Sequence, residues 1–124
     1  MIMDEMKLTP EAQQLLMELQ AYQQQMQTIL MQKESLSLQQ MDNDKALEEL
    51  GKTTHDEVYK TVGPILIKST KKDLTEELKE RQETIDLRLK SMQKQETRIR
   101  DKLKETQDRL EDIFKVPGSK EAAE

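Results

Sequence analysis

An apolar repeat runs through two long stretches of this chain and restricts its fold more than any other feature. Stepping alternately by four and three from Leu8 meets Leu8, Ala12, Leu15, Leu19, Tyr22, Met26, Ile29, Lys33, Leu36, Gln40, Asn43, Leu47 and Leu50. Ten of these thirteen are apolar, and a mean step of 3.5 is the seam of a coiled coil rather than the wider stripe of a globular helix. The same rule gives Leu78, Gln82, Ile85, Leu89, Met92, Glu96, Ile99, Leu103, Thr106, Leu110 and Ile113, of which eight of eleven are apolar. Polar residues at Lys33, Gln40 and Asn43 weaken the first seam but help to fix its register. The reading is two helices, over residues 10–50 and 73–114. At about 1.5 Å per residue each is a rod on the order of 60 Å long. Equal rods joined at one end fold back along their length and bring both chain ends together.

Start and stop signals agree with this. Thr9, Pro10 and Glu11 supply an N-cap, a proline at the first helical position and an acid in the first turn. Gly51 after Leu50 predicts a left-handed C-cap. The second helix starts either from Thr70 with Asp73 or from Asp73 with Glu76 as a capping pair. Val116-Pro117-Gly118 ends it, leaving a disordered tail over 117–124 to match a flexible tip over 1–9.

Between the helices the composition changes. Residues 57–62 and 65–70 are rich in β-branched side chains and flank Gly63-Pro64. Glycine at the first central position of a two-residue turn is the type II′ signature, and the fixed φ of proline suits the second. The predicted hairpin pairs Val62 with Ile65, Lys60 with Ile67 and Val58 with Ser69. Val58, Val62, Ile65 and Ile67 then share one face, and Tyr59 and Leu66 lie on the other.

Two isolated strands are marginal in water, and both outer edges lack partners. Covering four large aliphatics is worth about 1.5–3 kcal/mol each. The helices of one chain cannot cover both faces. Hairpins of several chains joining edge to edge into a shared sheet or barrel solve the problem, with Val58, Tyr59, Val62, Ile65, Leu66 and Ile67 as the oligomer interface. The alternative is a hairpin folded down onto its own helix ends.

Composition narrows the function. Charged residues make up 36% and aromatics 2% of the 124 residues, so the chain forms one domain without a large compact core. Residues 1–57 hold 4 basic and 11 acidic side chains and residues 58–124 hold 16 and 14. This opposite bias favours side-by-side helices. There is no cysteine, so neither disulfide nor thiolate chemistry is available. No apolar run is long enough to span a bilayer, and the expected location is the cytoplasm. His55 is the sole histidine and reads as an exposed loop residue without catalytic or metal-binding partners. No phosphate loop or nucleophile motif is present, so neither a cofactor nor a metal is expected and the chain reads as a non-enzyme. Residues 88–109 carry eight basic and four acidic side chains, yet the interspersed acids and scarce aromatics argue against nucleic acid.

Three segments carry a resemblance. Ala46-Leu47-Glu48-Glu49-Leu50, Val58-Tyr59-Lys60-Thr61-Val62-Gly63-Pro64-Ile65-Leu66-Ile67 and Leu74-Thr75-Glu76-Glu77-Leu78 resemble the β-type subunits of the prefoldin family. The single hairpin fits that type, since the α-type subunit has a longer β insertion. The resemblance implies a mainly α, antiparallel two-helix coiled coil with one β-hairpin, assembling into a hexamer of two α-type and four β-type subunits on a β-barrel platform. It implies an ATP-independent chaperone, a holdase whose coiled-coil tips hold unfolded polypeptides and pass them to a group II chaperonin. Carried onto this chain, the client-binding tip residues are Met3, Met6, Leu8, Leu15, Leu16 and Met17 with Leu110, Ile113, Phe114 and Val116.

Local physics supports the tips independently. Leu16 and Met17 are apolar but off the seam, and six of the eight methionines fall in the first 31 residues. Methionine suits a surface that must fit many partners. The alternatives are that these residues merely widen the seam, and that the chain is a scaffold or adaptor for one defined partner. Leu30, Met31, Leu38 and Met41, also off-seam, are expected to pack against neighbouring subunits or the base.

Overall fold

The computed structural model describes residues 8–115, in the order α1 (Pro10–Lys52), β1 (Glu57–Val62), β2 (Ile65–Thr70) and α2 (Lys71–Phe114). Met3, Met6, Val116 and the expected tail lie outside the described residues. The described residues fall into two compact units, 8–30 with 94–115 and 31–93.

The 3.5-residue seam accounts for burial along both helices. All thirteen seam positions predicted for the first stretch, Leu8 before α1 and twelve within it, and all eleven of α2 are buried or half-buried. In the first unit Ala12, Leu15 and Leu110 form the buried core, with Leu8, Leu16, Leu19 and Ile113 packed against it. Ala12 has no exposed surface, so its small side chain is wholly taken up in this core. Glu96 and Thr106 are polar yet buried in the same unit. The Glu96 carboxylate accepts from Arg100 Nη2 at 3.0 Å, which compensates a charge that burial alone would make costly.

In the second unit polar side chains bridge the helices. Lys33 Nζ donates to Gln93 Oε1 (2.9 Å), Gln40 Nε2 to Asp86 Oδ1 (2.8 Å) and Gln82 Nε2 to Asp44 Oδ1 (3.0 Å). Asn43 is buried and donates from Nδ2 to the backbone carbonyl of Leu78 at 2.8 Å. Its Oδ1 is buried with no hydrogen-bond partner among the described residues. Such contacts form only when particular residues lie level, so they penalise a slipped pairing that an all-apolar seam would tolerate.

Both helices begin as the caps require. Thr9 Oγ1 accepts from the Ala12 amide at 3.1 Å, and Thr70 Oγ1 from the Asp73 amide at 3.0 Å. Of the two starts open for α2, Thr70 is the one used, so the helix begins at Lys71 and not at Asp73. The expected C-cap at Gly51 is not formed. α1 continues through Gly51 to Lys52, and Gly63 is the only described residue with positive φ. Lys52 reaches back to Glu48 (3.3 Å) and Glu49 (3.7 Å), and a cation in the last turn favours continuing the helix.

These two glycines predict opposite responses to a methyl group. A Cβ at Gly51 meets nothing within 4 Å and the backbone there is helical. Gly51→Ala is therefore expected to stabilise the chain by about 0.5–1 kcal/mol. Gly63 has φ +57, so Gly63→Ala is expected to destabilise it by about 1 kcal/mol. Thermal melts of the two variants check the signs.

The hairpin has the predicted register, Val62 opposite Ile65, Lys60 opposite Ile67 and Val58 opposite Ser69. Positive φ at Gly63 and not at Pro64 is the pattern of a type II′ turn. The strand β2 passes into α2 without a linker residue. The other connection, residues 53–56, is tied to the start of α2. Lys71 donates its amide to the Asp56 carbonyl (2.7 Å) and its Nζ to the Thr53 carbonyl (2.8 Å).

Candidate functional site

Two surfaces carry more apolar area than the packing of their own unit uses. The first is the hairpin. Strand alternation puts Val58, Lys60 and Val62 on one face with Ile65, Ile67 and Ser69, and leaves Tyr59, Thr61, Leu66 and Lys68 on the other. Val58, Lys60 and Ser69, the half of the first face nearest the helices, are half-buried. Toward the turn Val62, Ile65 and Ile67 are open, Ile65 at 58% and Ile67 at 40%. Leu66 on the opposite face is 70% exposed. That half of the face is thus partly covered, with Lys60 tied to Glu77 of α2, while the rest remains open.

The outer face also carries a small polar cluster. Glu57 Oε1 accepts from the Tyr59 hydroxyl and pairs with Lys68 Nζ, each at 3.0 Å. The hydrogen bond to Glu57, reinforced by the carboxylate's charge, holds the Tyr59 phenol above its ordinary pKa and so neutral. On the inner face Lys60 Nζ reaches both oxygens of Glu77, at 3.2 and 3.1 Å.

The second surface belongs to the first unit. Of the residues expected to touch clients, Leu15 and Leu110 are buried against each other and Ala12, while Leu8, Leu16 and Ile113 are half-buried around them. Met17 and Phe114 stand clear, at 65% and 54% exposure. Leu110, Glu111, Phe114 and Lys115 line a shallow depression of about 400 Å³ there. The geometry therefore divides the set. Some of these side chains spend their surface on the seam, and two present it.

Leu30, Met31, Leu38 and Met41 are exposed within the single chain, as is Leu87, which sequence reasoning missed. The signal for Leu87 was available, since it stands off the seam of α2 as Met31 and Leu38 stand off that of α1. No group of His, Cys, Asp or Glu among the described residues is placed to hold a metal ion, and no described helix is long and apolar enough to cross a membrane.

Two long helices packed through 3.5-residue seams, joined by a hairpin with open apolar residues, define a coiled-coil protein built around a β-hairpin junction. A family model described as prefoldin subunit matches residues 13–116. The chain is 39% identical to the prefoldin subunit beta of Pyrococcus furiosus over 111 residues, 89% of this chain and 95% of that one. It is 40% identical to that of Archaeoglobus fulgidus over 109 residues, 87% and 94% of the two chains. The crystal structure of the prefoldin beta subunit from Thermococcus strain KS-1 superposes with a TM-score of 0.80 at 37% identity, covering 90% of this chain and 98% of that one. The chain belongs to the prefoldin family. That family consists of chaperone subunits with a role in protein folding and is not an enzyme family.

Proposed function

We propose that this chain is a β-type subunit of an ATP-independent holdase, acting in the cytoplasm. Its hairpin joins those of α-type partners and further copies of itself in a hexamer of two α-type and four β-type subunits. The end of the coil formed by residues 8–19 and 110–115 captures non-native polypeptides, which pass to a group II chaperonin. Neither nucleic acid nor membrane is a partner.

One observation carries the capture site. Met17 and Phe114 are exposed although the seam beside them is already filled by Leu15, Leu110 and Ile113. An exposed methionine and an exposed phenylalanine offer adaptable, non-directional contact, which suits a ligand defined only by its apolar surface. Membership of a chaperone family supports the same reading.

The test is suppression of aggregation of several unrelated unfolding proteins by the assembled chaperone. The double variant Met17→Gln with Phe114→Gln is expected to lose capture several-fold while its melting temperature stays put, since neither side chain is part of the packed seam. Undiminished capture would remove this end of the coil as the site. Failure of the unaltered protein toward all unfolding substrates, together with tight binding of one folded protein, would make it an adaptor instead.

A further inference from the structure

Cysteine is absent, so the thioether of methionine is the only oxidisable sulfur in this chain. The seam divides the five methionines among the described residues into two kinds. Met26 and Met92 occupy seam positions and are half-buried. Met17, Met31 and Met41 stand off the seam and are exposed. Of these three only Met17 belongs to the compact unit that carries the candidate capture surface; Met31 and Met41 belong to the other. The remaining described residues of that surface, Leu8, Leu16, Ile113 and Phe114, are hydrocarbon and do not react with a peroxide.

The chemistry at such a thioether needs access and nothing else from the protein. A sulfur lone pair forms a bond to one peroxide oxygen as the O–O bond breaks. The sulfur loses two electrons and becomes a sulfoxide, and the peroxide is reduced to water. A dithiol reverses the change: it supplies two electrons, becomes a disulfide, and the oxygen departs as water. Oxidation turns a flexible apolar side chain into a polar one. Where the side chain is exposed, the new dipole is met by water and the helix packing is untouched. In the seam at Met26 the same dipole would lack partners and would loosen the coil. Exposure therefore orders the outcomes, with the presented methionines reacting before the packed ones.

We infer that Met17 is a modification site at which oxidation to the sulfoxide by a peroxide turns off client capture while the coil stays folded. This rests on the capture reading above. The sulfoxide removes the adaptable apolar contact that Met17 offers a client. Met31 and Met41 react as readily, but their oxidation falls outside the capture surface and leaves capture unchanged.

The test treats the assembled chaperone with graded hydrogen peroxide and maps the sulfoxides by peptide mass. Aggregation suppression and thermal melts are followed on the same samples. Met17 is expected to gain one oxygen before Met26 and Met92, and capture to fall several-fold in step with it. The melt is expected to stay in place, and methionine sulfoxide reductases with a dithiol to restore capture. Met31→Leu with Met41→Leu is expected to remain as sensitive as the unaltered protein. Met17→Leu is expected to hold its own untreated level of capture through the same treatment. Full capture with Met17 oxidised overturns the inference, as does oxidation of Met26 ahead of Met17. So does a Met17→Leu variant that loses capture on treatment, because the sensitive sulfur then lies elsewhere. A Met17→Leu variant without capture before treatment overturns it too, since apolar character would then not be what the client needs at this position. The untreated Met17→Gln, Phe114→Gln double variant separates the two readings. If it captures undiminished, the capture reading fails and this inference with it; if it loses capture while the oxidised protein does not, only the modification site falls.

Discussion

Aspartate at Ile65 or at Ile67 is expected to reduce the assembly to free subunits, with the melting of the isolated chain almost unmoved. The two halves of this expectation come from the same exposure. Within one chain Ile65 and Ile67 keep about half of their surface open, so a carboxylate there remains hydrated and displaces little packing. In a shared sheet the position is covered. Each aliphatic side chain then loses about 1.5–3 kcal/mol of burial, and the buried carboxylate adds a desolvation penalty of several kcal/mol per subunit. Repetition around a closed assembly multiplies that cost. Leu66→Asp on the opposite face shows which side is turned inward, since a solvent-facing residue tolerates the charge. A native mass identical to that of the unaltered protein for both isoleucine variants would show that this face is not where subunits meet.

The hairpin and the seam were legible for related reasons. Each rests on a period that sequence displays directly, two residues in a strand and 3.5 in a coiled coil. Glu96 could be placed on the seam even though it is polar because Met92 and Ile99, four and three residues away, are apolar, and Asn43 because Leu47 and Leu50 carry the same repeat on past it. Thr9 and Thr70 were recognisable as caps because a short hydroxyl side chain before a helix has one dominant use there. Gly51 shows the limit of such cues. Glycine permits a left-handed cap without requiring one, and the outcome turned on whether Lys52 could extend the last turn. The Lys60–Glu77 contact across the strand–helix junction could not be read at all. Which side chains meet across a junction depends on the angle between its two elements, and Lys60 and Glu77, 17 residues apart, carry no periodic mark of being partners.

The candidate capture surface was half legible for a different reason. Seam leucines and surface methionines are both simply apolar in a sequence, so Leu15 and Met17 looked like members of one patch. The structure assigns them different surroundings, and this predicts a separation of effects. Leu15 is 2% exposed against Ala12 and Leu110, so Leu15→Ala should open a cavity that the two helices cannot fully close. The expected loss is about 2–5 kcal/mol, enough to lower the melting temperature by several degrees. Met17→Gln exchanges one strong helix former for another at an exposed position and should leave the melt unchanged. Aggregation assays should then show the opposite order at temperatures well below either melt. Met17→Gln loses capture, while Leu15→Ala retains it until its own coil begins to open. If Leu15→Ala lost capture as fully as Met17→Gln at low temperature, with its helicity intact, the packed seam itself would have to part to receive the client. The division between packing and presenting residues would then be abandoned, because the core leucines would be contact residues in an opened coil.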